Sequence, residues 1–94
     1  MTKPYTEELF LQEGTNRKYI IRTFDTNVDD DELVWHTDKQ NRTVTVLQGI
    51  NWQLQMDDTL PKELEIGKQY FITKGKYHRL IKGKNNLVVR IENI

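Results

Sequence analysis

Residues 69–92 read QYFITKGKYHRLIKGKNNLVVRIE, and their pattern indicates the fold class of the chain. It contains three short runs rich in β-branched and aromatic residues, which we predict as strands over Gln69–Thr73, Tyr77–Ile81 and Leu87–Glu92. A glycine lies in each of the two gaps between the runs and marks a turn. Strands this short, joined by tight turns, are typical of an all-β sandwich or barrel.

The same pattern continues toward the N-terminus. We predict further strands over Leu9–Leu11, Lys18–Phe24, Leu33–Asp38, Arg42–Leu47, Trp52–Met56 and Glu63–Ile66. The segment Thr6–Glu13 has a helical alternative, because Thr6 can cap a short helical turn ahead of two glutamates. The residues favour neither strand nor helix in that segment. We predict a single domain over residues 1–94, since this is the length of one small domain.

Charge and composition exclude several classes of function. The 14 basic residues equal the 14 acidic ones, and a nucleic-acid binder or a membrane-surface protein needs a basic excess. There is no cysteine, so disulfides, thiolate metal sites and cysteine nucleophiles are absent. No apolar run has the roughly 20 residues of a membrane span. Residues Met1–Tyr5 lack the apolar core of a signal peptide, so we expect a cytoplasmic protein.

Two histidines and an aspartate carry the chemistry that the pattern suggests. Side chains alternate between the faces of a strand, so His36 and Asp38 share one face of the predicted strand that holds them. Arg42 and His78 lie on two other predicted strands. If the faces that carry these four residues all point into a closed barrel, the four side chains converge. Two imidazoles and one carboxylate form a facial triad that leaves coordination positions open on a divalent metal. Such a triad suits Fe(II) and also accepts Mn, Ni, Co or Zn.

The spacing of these residues resembles the two conserved motifs of the cupin superfamily. The first motif reads His-x-His, three or four residues, Glu, six residues, Gly, and it is matched here from His36 to Gly49. The second reads Gly, five residues, Pro-x-Gly-x-x-His, three residues, Asn, and it is matched from Gly67 to Lys82, with Gly75 and the second histidine in place. The resemblance implies a double-stranded β-helix, the jelly-roll barrel of the cupins, with a metal centre inside.

Four positions depart from the motifs. Asp38 replaces the second histidine of the first motif and keeps an oxygen that can bind metal. Arg42 replaces the glutamate ligand and cannot bind metal, because it stays protonated. Thr73 and Lys82 replace the proline and asparagine, which shape the motif and are not ligands. The ligand set implied by the resemblance is therefore His36, Asp38 and His78, similar in type and strand order to the triad of the 2-oxoglutarate-dependent oxygenases.

Arg42 and Trp52 are the residues that we expect to meet a substrate. A guanidinium inside a barrel needs a partner. Asp38 can supply one, in which case a bidentate pair ties up the carboxylate and weakens the metal site. The alternative partner is a carboxylate on a ligand, which arginine binds well. Trp52 belongs to an alternating run whose apolar side faces the core, and there it can line a cavity.

Two functions fit these residues. The first is a metal-dependent enzyme acting on a small carboxylated substrate, by O₂-dependent or isomerase chemistry. The second is a non-catalytic cupin whose metal site has closed and which binds a small ligand or serves assembly. We also expect a homodimer, since a chain of this size gains stability by covering an edge strand, and Leu9–Leu11 is the strand that would reach the partner.

Overall fold

The computed structural model describes residues 5–28 and 33–93, which form eight β-strands and no helix. The strands are β1 (Tyr5–Leu11), β2 (Lys18–Phe24), β3 (Arg42–Gln48), β4 (Gln53–Met56), β5 (Lys62–Glu63), β6 (Gln69–Ile72), β7 (His78–Ile81) and β8 (Leu87–Asn93). The predicted all-β class is confirmed.

The strands form two antiparallel sheets. The larger sheet has the order β1-β2-β8-β3-β6 and the smaller one has the order β5-β4-β7. In the larger sheet β8, the last strand, lies between β2 and β3, so the two ends of the chain meet in one sheet. This arrangement leaves β1 and β6 at the edges and directs one face of each sheet toward a common interior.

The interior is filled by side chains that alternate along the strands. In β8, Leu87, Val89 and Ile91 point inward and are at most 5% exposed, while the residues between them are partly exposed. Trp52, Val46 and Leu87 are the largest side chains with almost no contact with solvent. The alternation of apolar and polar residues therefore fixes which face of each strand is buried.

The structure decides one alternative and corrects two strand predictions. Thr6–Glu13 is not helical, because β1 pairs with β2 over all seven of its residues, from Tyr5 opposite Phe24 to Leu11 opposite Lys18. The strand predicted over Glu63–Ile66 is shifted to Lys62–Glu63. The chain then turns through Gly67, whose positive φ of 85° is unfavourable for other residues, and the Gly67 N–H donates to the Val46 carbonyl at 2.8 Å.

The strand predicted over Leu33–Asp38 is reduced to a single bridged residue, His36, which pairs with His78. Beyond this pair the segment follows the turn that precedes β7, and the Asp38 carbonyl accepts a hydrogen bond from Gly75 N. The segment is thus held at separate points and not by a continuous ladder.

In the part of the chain that the structure describes, no helix is long and apolar enough to cross a membrane. The expectation that Met1–Tyr5 is not part of a signal peptide concerns residues that lie, except for Tyr5, outside the described ranges.

Candidate metal centre

His36 and His78 face each other because their backbones form an isolated antiparallel pair. His36 N donates to His78 O, and His78 N donates to His36 O, both at 3.0 Å. Residues that are directly opposite in an antiparallel pair project their side chains to the same side. The two imidazole rings accordingly lie 4.3 Å apart between centroids, tilted by 59°. The predicted meeting of the two histidines is present in the structure.

Both imidazoles are held by a backbone carbonyl through the same ring nitrogen. The Nδ1 atoms of His36 and His78 lie 2.9 Å from the carbonyls of Val34 and Lys76, respectively. A carbonyl can only accept, so each Nδ1 carries the proton and donates it. In a neutral ring this leaves the lone pair on Nε2, the atom with which such a histidine binds metal.

Asp38 completes the cluster from the same segment as His36. Its Oδ2 atom lies 3.4 Å from His78 Nε2, and its side chain is only 8% exposed. One ligand atom each from His36, Asp38 and His78 fall within 4.8 Å of one another. Ligand atoms about 2.1 Å from a shared ion lie roughly 3–3.4 Å apart, so the aspartate and His78 already have that spacing. The donor set fits a divalent metal ion.

The turn before β7 ties the two halves of the cluster together. Gly75 N donates to Asp38 O at 2.9 Å, and Lys74 N donates to Asn41 Oδ1 at 2.8 Å. Gly75 has a φ of 78°, which only glycine adopts at little cost. A glycine at this place in the second motif therefore lets the chain turn sharply enough to bring His78 back to His36.

Burial lowers the pKa of His78 below its ordinary value of 6.5, and nearby His36 and Arg42 act in the same direction. The hydrogen bond with Lys76 and the negative charge of Asp38 oppose this shift and are outweighed. The imidazole is thus held neutral down to a lower pH than a free histidine, which is the protonation state that a metal ligand requires.

This shift predicts how the metal-free protein responds to acid. Below about pH 6.5 the unfolded chain takes up a proton at His78 more readily than the folded chain does. The free energy of unfolding should therefore fall as the pH decreases from neutrality toward 5. Urea unfolding at several pH values would measure the decline, and His78→Gln should make it shallower. A slope that is unchanged in this variant would contradict the prediction.

Arg42, at the start of β3, reaches the same cluster. Its Nη1 atom lies 3.4 Å from Asp38 Oδ1, so the predicted contact with the aspartate is present, as one long contact and not a bidentate pair. Its Nε atom is buried and has no hydrogen-bond partner among the described residues. Arg42 therefore retains hydrogen-bonding capacity beyond its contact with Asp38.

The cluster opens into a cavity of about 310 Å³ between the two sheets. Val44, Leu80, Val89 and Ile91 are representative of its walls, which are mainly apolar. Its polar groups are His36, Asp38, Arg42 and His78 at the cluster, with Tyr5, Arg22 and Tyr70 elsewhere. A mainly apolar cavity of this size with a few convergent polar groups is typical of a site for a small ligand.

Trp52 lies in the core, as its alternating run indicated, and not in the wall of the cavity. It is fully buried in the core, its Nε1 donates to Asn85 O at 2.6 Å, and its ring packs 6.0 Å from that of Phe24. It is not among the described residues that line the cavity, whereas Leu54, two residues further on in β4, is one of them. The alternation predicted over Trp52–Met56 is correct in placing the tryptophan inside, and the structure puts it in the packed part of the interior.

Sequence reasoning missed Arg22, which lines the cavity from β2. Both its Nε and its Nη2 donate to Glu7 Oε2, at 3.0 and 2.9 Å. A signal for it was available, because Arg22 interrupts the inward-facing series Ile20, Arg22, Phe24. A charged residue on an otherwise apolar strand face is uncommon and would have singled out Arg22, whereas Arg42 was identified by its position in the first motif.

Comparison with known proteins finds no family match and no curated relative from the sequence alone. Solved structures do match. The DMSP lyase DddQ from Ruegeria pomeroyi DSS-3 has a TM-score of 0.73 and 13% identity over 94% of this chain. Hydroxypropylphosphonic acid epoxidase (HppE) from S. wedmorenis has a TM-score of 0.69 and 17% identity over 97%. The chain spans about half the length of each of these, 45% and 51%.

A smaller protein matches nearly end to end. The cupin-2 domain protein from Shewanella frigidimarina NCIMB 400 has a TM-score of 0.70 and 17% identity, and the match covers all of this chain and 85% of that one. At such low identities the likeness establishes the architecture and not the activity. The chain has the cupin fold, the double-stranded β-helix that its two motifs predicted.

Proposed function

We propose that this protein binds a divalent metal ion through His36, Asp38 and His78, and binds a small carboxylate beside it in the barrel. The observation that carries the proposal is the orientation of the donors. His78 directs Nε2 toward the carboxylate of Asp38, one ligand atom of His36 lies within 4.8 Å of both, and each imidazole is held by a backbone carbonyl at Nδ1. Such support behind a ligand is a common feature of protein metal sites.

The ligand set favours Fe(II) among the metals that it accepts. Two histidines and one carboxylate leave open positions on an octahedral ion, and Mn, Co, Ni and Zn are accommodated as well. Among the similar structures, HppE has been described in both an Fe(II) form and a Co(II) form with substrate. When bound, such a metal supplies a Lewis acid with positions free for a substrate or O₂, which agrees with dioxygenase-like or isomerase-like chemistry.

Arg42 is the group that would hold the carboxylate. Its guanidinium lies beside the metal ligands, and its buried Nε has no hydrogen-bond partner among the described residues. A buried polar atom without a partner is costly, and a carboxylate that accepts two parallel hydrogen bonds would satisfy it. The long single contact with Asp38 gives less support to the alternative, a non-catalytic cupin in which this pair has closed the metal site.

Metal content tests this proposal directly. Protein purified without a histidine tag should contain metal near one equivalent by elemental analysis, or take it up after incubation with Fe(II), Mn(II) or Zn(II). Binding of a simple carboxylate to the loaded protein should weaken at least about tenfold in Arg42→Gln, because a charge-assisted pair is lost. A protein that takes up none of the three metals would refute the proposal and leave the non-catalytic alternative.

We also propose that the protein forms a homodimer through β1. This strand is an edge of the larger sheet, and Leu9 and Leu11 are 63% and 68% exposed. An exposed edge with apolar side chains tends to be covered in stable proteins. Light scattering after size exclusion should give the mass of two chains at micromolar concentration. The double variant Leu9→Glu, Leu11→Glu should give the mass of one, and a monomeric wild type would exclude the dimer.

A further inference from the structure

We infer that the ligand of this cavity is a monoanion with an apolar body, and that the Glu7–Arg22 pair excludes acids with a second carboxylate. The inference rests on the proposed function, since it assumes that one carboxylate lies at Arg42. It concerns the opposite end of the cavity, where Arg22 would otherwise provide a second anion site.

The sheet register places the two arginines far apart on one inner face. Arg22 lies opposite Val89, which lies opposite Val46, whereas Arg42 lies four residues away from Val46 on the same strand. Two strand spacings across the sheet and four residues along it separate their Cα atoms by about 16 Å. Val44, Val89 and Ile91 line the cavity in this part of the sheet. The two arginines therefore enter the cavity from well-separated points of this face, with apolar side chains between them.

The two ends differ in charge. A divalent ion with Asp38 and Arg42 would have a net positive charge, since His36 and His78 bind metal in the neutral form. At the other end Glu7 directly faces Arg22 across the β1–β2 ladder and accepts two hydrogen bonds from it. That pair has no net charge. An anionic group is attracted to the first end, whereas the arginine that the described part of the chain offers at the second is already paired with Glu7.

Arg22 is held in place on two sides. Its Cζ atom lies 3.9 Å from the centre of the Tyr5 ring, and its side chain is only 13% exposed. A second carboxylate arriving here would meet the negative charge of Glu7 and lose water without gaining a free guanidinium. A hydrocarbon end would instead lie against the apolar walls, where each additional buried methylene strengthens binding about fourfold.

The test compares acids of equal length on protein loaded with Zn(II), by titration calorimetry. Hexanoate, octanoate and decanoate are the monoacids, and adipate, suberate and sebacate are the matching diacids. For wild type, octanoate should bind at least about tenfold more tightly than suberate, since the second carboxylate must be buried without a partner.

Glu7→Gln frees Arg22 and should raise the affinity for suberate at least about tenfold, because a charge-assisted pair can then form. Octanoate should change less than about threefold. Glu8→Gln is the matched control, because it removes the same charge from the next residue of β1, whose side chain is exposed on the other face. It should leave both affinities unchanged. Adding Arg22→Gln to Glu7→Gln should abolish the gain for suberate.

The outcomes separate this inference from the proposal on which it rests. Equal affinity for the two kinds of acid in wild type, with both lost in Arg42→Gln, would overturn the inference alone. An equal gain for suberate in Glu7→Gln and Glu8→Gln would also overturn it, since the effect would then be one of net charge. Loaded protein that binds none of the acids would overturn both the inference and the carboxylate part of the proposed function. The wild-type comparison requires no variant, so it remains decisive if Glu7→Gln fails to fold.

Discussion

Replacing His78 by alanine is expected to lower the affinity for Zn(II) or Co(II) at least about a hundredfold, because even outer partners of a metal ligand contribute 10–100-fold. His78 is nearly buried, and its Nε2 already lies 3.4 Å from Asp38 Oδ2. His36→Ala should have a similar effect. Competition with a chelator of known affinity would measure the Zn(II) constants, and the visible spectrum of Co(II) would report the change in ligands.

Neighbouring residues provide the controls for this experiment. Arg79 follows His78 on β7, points to the other face, and donates to Gln55 Oε1 at 2.9 Å. Thr37 follows His36 and is exposed. Arg79→Ala and Thr37→Ala should bind metal within about threefold of wild type. Equal losses in the histidine variants and these controls would indicate that local structure, and not ligation, controls the affinity.

Asp38→Asn separates the two roles of the aspartate. The amide keeps the shape and can still contact Arg42, but it is a much weaker metal ligand. Metal affinity that is retained in this variant would remove Asp38 from the ligand set.

The sequence was sufficient to predict that His36 and His78 lie close together, because the spacing of the motifs indicates both the turns and the order of the strands. The histidines were expected on two continuous strands, yet His36 makes a single backbone pair with His78. That difference does not move the imidazoles, since one antiparallel pair is enough to set both side chains on one side. The alternation rule therefore gave the correct common face for His36 and Asp38 even though no ladder forms there, but Leu33, expected on the opposite face, lines the cavity as well.

What the sequence could not supply is the pairing between distant strands. Arg22 lies inward on β2, but its neutralisation by Glu7 depends on the register of β1 against β2. The residues 6–13 favoured neither helix nor strand, so the pairing of β1 with β2 could not be predicted from the sequence. The position of Trp52 within the interior also depends on contacts between distant strands. The alternation of side chains predicts that Trp52 points into the barrel. Whether it then lines the cavity or lies in the packed core depends on how the two sheets pack against each other, which the sequence does not show.

Trp52→Ala is expected to destabilise the protein by about 3–5 kcal/mol, the cost of truncating a buried aromatic side chain. Trp52 is fully buried against Phe24, and its indole N–H donates to Asn85 O at 2.6 Å. A domain of 94 residues has a total stability of about 5–14 kcal/mol, so the loss removes a large part of it. Urea unfolding followed by circular dichroism would measure the change in the free energy of unfolding.

The second tryptophan of the chain is the matched control. Trp35 is 41% exposed, and the guanidinium of Arg79 lies 4.9 Å from its ring centre. An exposed contact of this kind contributes about 0.5–1 kcal/mol, so Trp35→Ala should cost no more than that. Trp52→Phe fills most of the space but leaves Asn85 O without its donor, and we expect an intermediate loss of about 1–3 kcal/mol. Similar losses for the two alanine variants would contradict the core position of Trp52. A loss confined to Trp52 with metal affinity intact would confirm that this residue stabilises the barrel without taking part in its site.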